Sequence, residues 1–183
     1  FTTAAFVANG YVSDRFGFQR GWDAWRNYIR EGRNTRGENV AADVLRWLDE
    51  RPAEQPFFLY VHAIDPHVPY RPPATYLRMY DDEPYRGPVD FSRSATLLER
   101  IKTGRLRLNE RDRRRLEALY DGEVSYQDAQ LASVLLAAVP RLGWAAVLPD
   151  GHDGDDAEGC PEGEREVGRR LQGAACWLAS VVR

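Results

Sequence analysis

Pro56-Phe57-Phe58-Leu59-Tyr60-Val61-His62-Ala63-Ile64-Asp65-Pro66-His67-Val68-Pro69-Tyr70 is the stretch on which the fold turns. From Phe57 to Ile64 it is apolar, aromatic or β-branched at almost every position, with His62 as the interruption. Such a run suits a strand covered on both faces inside an α/β sheet. Asp65-Pro66 and Val68-Pro69 then end it, because proline donates no ladder hydrogen bond and restricts the residue before it. His67 is thereby held between two prolines just past the carboxyl end of a buried strand. Open α/β sheets place ligands at that edge. A titratable ring on a stiff turn there suits proton transfer or contact with an anion. The alternative for His67 is a turn histidine bonded to backbone. His62, inside the apolar run, reads as a hydrogen-bonded core histidine, and Asp65 as a residue that organises the turn through bonds to nearby amides.

Working outward, Thr2 to Ala8 is β-prone and stops at the turn signal Asn9-Gly10. Residues 11 to 34 mix Gly, Arg and aromatics without a clean period. Phe16, Phe18, Trp22, Trp25 and Tyr28 read as aromatics packed under a long loop, with a binding groove as the alternative. Thr35-Arg36-Gly37-Glu38 has capping-box spacing. Val40, Val44, Leu45 and Leu48 follow at helical intervals to about Glu50. Strand, crossover helix and strand predict a parallel α/β sheet.

Beyond Tyr70 periodicity is lost, and Asp81 to Pro88 reads as surface loop. Glu99 to Arg115 carries eight basic residues against three acidic, a local +5. A solvated face is the plain reading of that run, and help in holding an anion the alternative. Asn109 to Asp112 offers an N-cap, and Leu116, Leu119, Tyr120, Val124, Leu131, Val134 and Leu135 predict one long helix ending near Pro140. Gly122 within it costs about 1 kcal/mol relative to Ala and implies a packing reason. Asp121 and Glu123, at i and i+2, share no helix face and make no acid/base pair. Asp150 to Glu166 holds eight acidic residues and one basic, a composition that favours a solvated or disordered segment. Leu171 to Val182 reads as a short helix.

The 183 residues fit one domain with a real core, 43% of them hydrophobic. A net charge of -3 makes neither nucleic acid nor an anionic membrane an obvious partner. No apolar run approaches the roughly 18 residues a membrane span needs. Cys160 and Cys176 fit neither a disulfide framework nor a zinc site, and the compartment is left open.

Three phrases together resemble the sulfatases of the alkaline-phosphatase-like superfamily. They are Thr3-Ala4-Ala5-Phe6-Val7-Ala8-Asn9, Phe57 to His62 followed by Asp65-Pro66-His67-Val68-Pro69-Tyr70, and Leu119-Tyr120-Asp121-Gly122-Glu123-Val124. The resemblance covers roughly residues 1 to 143 and leaves 144 to 183 as an atypical acidic, Gly-rich tail, attributable to a shifted reading frame or a misjoined C-terminus. It implies a partial sulfatase-like α/β sandwich, a mostly parallel sheet flanked by helices. It also implies hydrolysis of a sulfate ester on a small molecule or carbohydrate. Phosphoester or phosphonate hydrolysis and phosphoglycerol transfer are the alternatives within the superfamily, and a non-catalytic remnant the alternative outside it.

In the family a formylglycine, made from Cys or Ser in Cys/Ser-x-Pro-x-Arg, attacks sulfur, while a calcium-type cation held by Asp and Asn oxygens polarises the ester. A histidine near the leaving oxygen donates a proton, and His67 matches it by position as the catalytic and substrate-binding residue. The departures are as informative. Cys/Ser-x-Pro-x-Arg is absent, since proline follows Cys160 directly. His152-Asp153-Gly154 has the letters of the family's Asp-His-Gly in another order. Asp81-Asp82 and Asp155-Asp156 lie in loop-like surroundings, and no metal ligand is assigned. The expectation is the central portion of a sulfatase-type domain, inactive on its own.

Overall fold

The computed structural model describes residues 1–94, 96–138 and the backbone of 178–179. These residues form two compact units, 1–64 with 130 onward, and 65–129.

The first unit is built on a sheet of strands β1 (Thr2–Val7), β2 (Ala24–Asn27), β3 (Phe57–His62) and β4 (Leu178–Ala179), in the order β2-β1-β3-β4. The first three are mutually parallel, and β4 joins β3 antiparallel over two residues. β1 and β3 pair along their whole length, from Thr2 opposite Phe57 to Val7 opposite His62. Helix α1 (Gly37–Glu50) makes the crossover into β3. This is the α/β, mostly parallel arrangement that the strand-helix-strand pattern predicts.

The core follows from alternation along the strands and the 3.6-residue period of the helix. Ala4, Phe6, Phe57 and Leu59 face Val40, Val44 and Leu48 of α1, with Tyr28, Val134 and Ala138 closing the cluster. Trp47 meets Phe6 and Phe57 edge-on at 6.5 and 5.7 Å between ring centres. Asp43 on α1 is buried yet fully engaged, receiving bonds from Arg26, Tyr28, Arg33 and Arg46.

Several expectations need correction. β2 lies where the sequence shows only a long aromatic loop, and its four residues are too few to display a period. Tyr28 is fully buried and Trp22 stacks on Phe58 at 5.5 Å, while Phe16 and Phe18 are exposed. Among the described residues the two faces of β3 are covered unequally. Phe57 and Leu59 are buried, but Phe58, Tyr60 and His62 on the other face are half-buried, which explains how the strand tolerates a histidine. α1 begins at Gly37 with Arg36 as its N-cap, one residue beyond Thr35, and the Arg36 side chain makes no capping bond. Leu178 and Ala179 are strand where a short helix is expected.

The second unit contains short helices α2 (Ala74–Leu77) and α3 (Leu97–Lys102) and most of α4 (Glu110–Ala138). Asn109 caps α4 reciprocally with Asp112: its Oδ1 accepts the Asp112 N–H at 2.9 Å, and Asp112 Oδ2 accepts the Asn109 N–H at 3.1 Å. Gly122 has the packing reason its position implies. A Cβ there would lie 3.0 Å from Pro72 and 3.4 Å from the Leu77 Cα. Val89, Phe91, Leu97 and Leu119 form this unit's own core. Of the eight basic residues in 99–115, six are exposed, and Arg111 and Arg115 instead grip Asp81. Residues 139–177 and 180–183, with Cys160, Cys176, His152 and the Asp155-Asp156 pair, lie outside the described residues.

Candidate functional site

In a parallel sheet all carboxyl ends lie on one edge, so side chains far apart in sequence converge there. Val7 stands level with both Asn27 and His62, the last residues of β2 and β3, and Asn9 follows two residues later. Asn27 is buried and holds this edge together. Its Nδ2 donates to the Asn9 and Val12 carbonyls at 2.9 and 2.7 Å, and its Oδ1 accepts the Arg30 N–H at 3.0 Å. Glu31 accepts the Asn27 N–H at 2.9 Å.

His62 is engaged through both ring nitrogens, with Tyr60 Oη 3.0 Å from Nδ1 and Asn9 Nδ2 3.3 Å from Nε2. An amide nitrogen only donates, so Nε2 accepts and the ring is the Nδ1–H tautomer. A proton on Nε2 would point at another donor. Burial likewise lowers the proton affinity of His62 below the usual histidine range. It is therefore a neutral, structural histidine, as its place inside the apolar run suggests.

His67 differs. It is exposed, on a turn where both Asp65–Pro66 and Val68–Pro69 peptide bonds are cis. Its Nδ1 lies 2.7 Å from the Val68 carbonyl oxygen. A carbonyl only accepts, so Nδ1 carries a hydrogen and Nε2 is the open position. Nε2 makes no hydrogen bond among the described residues. The backbone bond expected of a turn histidine and the open nitrogen needed for proton transfer thus occur in the same ring.

The acidic residues serve other ends. Asp81 accepts two bonds from Arg111, at 3.0 and 2.9 Å, and one from Arg115 at 2.9 Å. Burial raises its proton affinity, but the bonds and charges of those arginines outweigh it and hold Asp81 below the usual carboxylate range. Glu123 is buried and accepts the Arg71 N–H at 2.6 Å, a role its sequence neighbourhood does not signal. Asn27 and Tyr60 were likewise silent in sequence, because their significance comes from strand register.

The sulfatase family profile matches residues 2–139. The chain belongs to the sulfatase family. No curated protein and no solved structure matches it. Membership makes it a relative of hydrolases and supports the α/β reading of the sheet. Sulfatases use calcium and formylglycine, and the described residues fit neither group. Among the described residues no cluster of three His, Cys, Asp or Glu side chains could hold a metal. The 183 residues contain no Cys/Ser-x-Pro-x-Arg.

Proposed function

We propose that this sulfatase-family chain carries the leaving-group end of a sulfuric ester hydrolase, with His67 as substrate-binding residue and proton donor, and that it does not turn over ester by itself. The observation that carries this reading is the His67 ring, fixed through Nδ1 by Val68 O with Nε2 open and the ring exposed. In its doubly protonated form the ring offers Nε2–H to the bridging ester oxygen. That oxygen leaves as an alcohol once it takes the proton, while the sulfuryl group passes to a nucleophile that the described residues do not supply. General acid assistance of this kind contributes roughly 10²–10⁴-fold to a rate, and only alongside the larger electrostatic contribution. One placed acid is therefore insufficient. The substrate class that suits it is a sulfate monoester of a small molecule or carbohydrate.

The test uses the chain with 15N-labelled histidine. With three histidines in the sequence, His62→Gln and His67→Gln assign the imidazole signals. Addition of 4-nitrophenyl sulfate is expected to move the His67 Nε2 resonance saturably and leave His62 in place. Release of 4-nitrophenol in the presence of calcium is expected to stay at the buffer rate. An unmoved His67 signal at millimolar ester refutes the substrate-facing role, and turnover by the chain refutes its incompleteness. A larger response to 4-nitrophenyl phosphate would transfer the reading to the phosphoryl relatives.

A further inference from the structure

The second unit contains a cavity of about 580 Å³ beginning three residues after His67 and not lined by it. Its aromatic walls are Tyr70, Tyr85 and Phe91, and its cationic lining includes Arg71, Arg86 and Arg115. That volume lies within the range of small-molecule sites, which combine aromatic walls with a few placed polar groups.

The charges in the lining divide into two kinds. Arg115 is balanced by Asp81 at 2.9 Å, and Arg93, also at the rim, by Asp90 at 2.9 Å. The guanidiniums of Arg71 and Arg86 have no acidic partner among the described residues, the bond from Arg71 to Glu123 being made by its backbone N–H. The Arg71 guanidinium donates to the Phe91 carbonyl at 2.8 Å, which holds it against the wall and leaves most of its donors unused. Arg86 is exposed and makes no bond to the described residues. The Arg115 Nε–H is buried and also lacks an acceptor there. Like charges gathered in a concave wall focus a positive potential. A guanidinium fork matches the oxygens of a tetrahedral oxyanion better than an ammonium does.

The frame behind these groups is rigid. Tyr85 Oη donates to Asp112 Oδ1 at 2.7 Å and accepts the Val89 N–H at 3.0 Å. The Arg111 and Arg115 guanidiniums lie 5.0 and 5.3 Å from the centre of the same ring. Gly87 fits against it only because it has no side chain, since a Cβ would collide with the Tyr85 ring and with Asp112.

We propose that this cavity binds an oxyanion carried on a ring, with Arg71 and Arg86 as the anion contacts and Tyr70, Tyr85 and Phe91 as the surface for the ring. Sulfate and phosphate esters of a sugar share that chemistry. The inference is independent of turnover, because the cavity needs neither a nucleophile nor a metal.

Isothermal titration of the chain with N-acetylglucosamine 6-sulfate, its 6-phosphate, inorganic sulfate and the unsubstituted sugar tests it. Saturable binding of the anions and none of the neutral sugar is expected, and the ratio of the two sugar esters identifies the source. Arg86→Ala should weaken binding about tenfold or more, the cost of a charged hydrogen bond. Arg71→Lys, which keeps the charge and loses the fork, should fall between. Arg105→Ala, an exposed basic residue outside the cavity, removes the same charge and should leave affinity unchanged. Circular dichroism of each variant confirms that it remains folded. Absence of saturable binding by every anion overturns the proposal, as does equal weakening by Arg86→Ala and Arg105→Ala, which would mark diffuse attraction to a basic surface.

Discussion

Replacing Asp43 by alanine removes the acceptor at the centre of the first unit's polar network, and its cost can be worked from its four partners. Tyr28 is fully buried, and its hydroxyl would lose its bond to Asp43 Oδ2, 3.1 Å away. A buried donor left without an acceptor costs about 1–3 kcal/mol. The Arg26 bond, 2.9 Å long with the arginine side chain 31% exposed, is worth about 1 kcal/mol after screening. Arg33 and Arg46 are more exposed and contribute about 0.5 kcal/mol or less each. The expected loss is about 2–5 kcal/mol, measured by urea unfolding near pH 7. Asp43→Asn keeps an oxygen for Tyr28 and should recover about 1–2 kcal/mol of it.

The pH dependence gives a second handle on the same residue. Burial raises the proton affinity of Asp43, but bonds from Arg26 and Tyr28 and the charges of Arg26 and Arg33 prevail, so the folded-state pKa lies below its ordinary 3.8. A depressed carboxylate stabilises above its unfolded pKa, and that contribution is lost as pH falls through the folded one. The gap between wild type and Asp43→Ala should be full at pH 6–8 and narrow below about pH 4. A loss under 1 kcal/mol at pH 7, or a gap unchanged at pH 3, would refute the view that Asp43 organises this unit.

Three further outcomes follow from other contacts. Gly87→Ala should destabilise by about 1–3 kcal/mol in urea unfolding, because the new methyl displaces the Tyr85–Asp112 pair. Asn27→Ala should cost about 2–3 kcal/mol and raise hydrogen exchange through residues 9–13, since it frees the Asn9 and Val12 carbonyls. Protection equal to wild type there would count against Asn27 as the tie of that edge. His62, whose folded pKa is lowered by burial, resists protonation more than the unfolded chain does. Stability should therefore fall as pH drops below about 6.5 toward the folded pKa, and His62→Gln should remove that part of the slope.

What was legible in the sequence tracks the length over which a pattern repeats. β1, α1, β3 and α4 have apolar periods long enough to be read, and the Asn109 cap and Gly122 contact add local chemistry that agrees with them. β2 is four residues of mixed polarity, and only its pairing with β1 makes it a strand. The half-buried face of β3 was equally hidden, because an aromatic run looks the same whether one face or two are covered. At the candidate site, His67 stands out through its flanking prolines. Asn27, Tyr60, Glu123 and Asp43 do not, because the partners that give them meaning lie up to 52 residues away in sequence.

The distribution of charge partners links the two proposals. Asp43, Asp81, Asp112 and Glu123 are buried or nearly so, and each already accepts bonds from arginines, tyrosines or backbone amides. Acids engaged in that way serve as structural acceptors, and among the described residues no cluster of three His, Cys, Asp or Glu side chains could hold a cation. The groups left open are of the opposite kind: the Nε2 of His67 and the guanidiniums of Arg71 and Arg86. All three lie in residues 65–129, and each presents a donor to whatever approaches, His67 once protonated. A concave wall whose unused donors face outward favours anions, whether or not a bond is then broken. Binding of a ring-borne oxyanion that is lost with Arg86, together with a His67 resonance that responds to a sulfate ester, would establish that selection without any turnover. Binding retained after Arg86→Ala would show instead that the unpaired arginines are solvated charge, and the case for an anionic ligand would then rest on His67 alone.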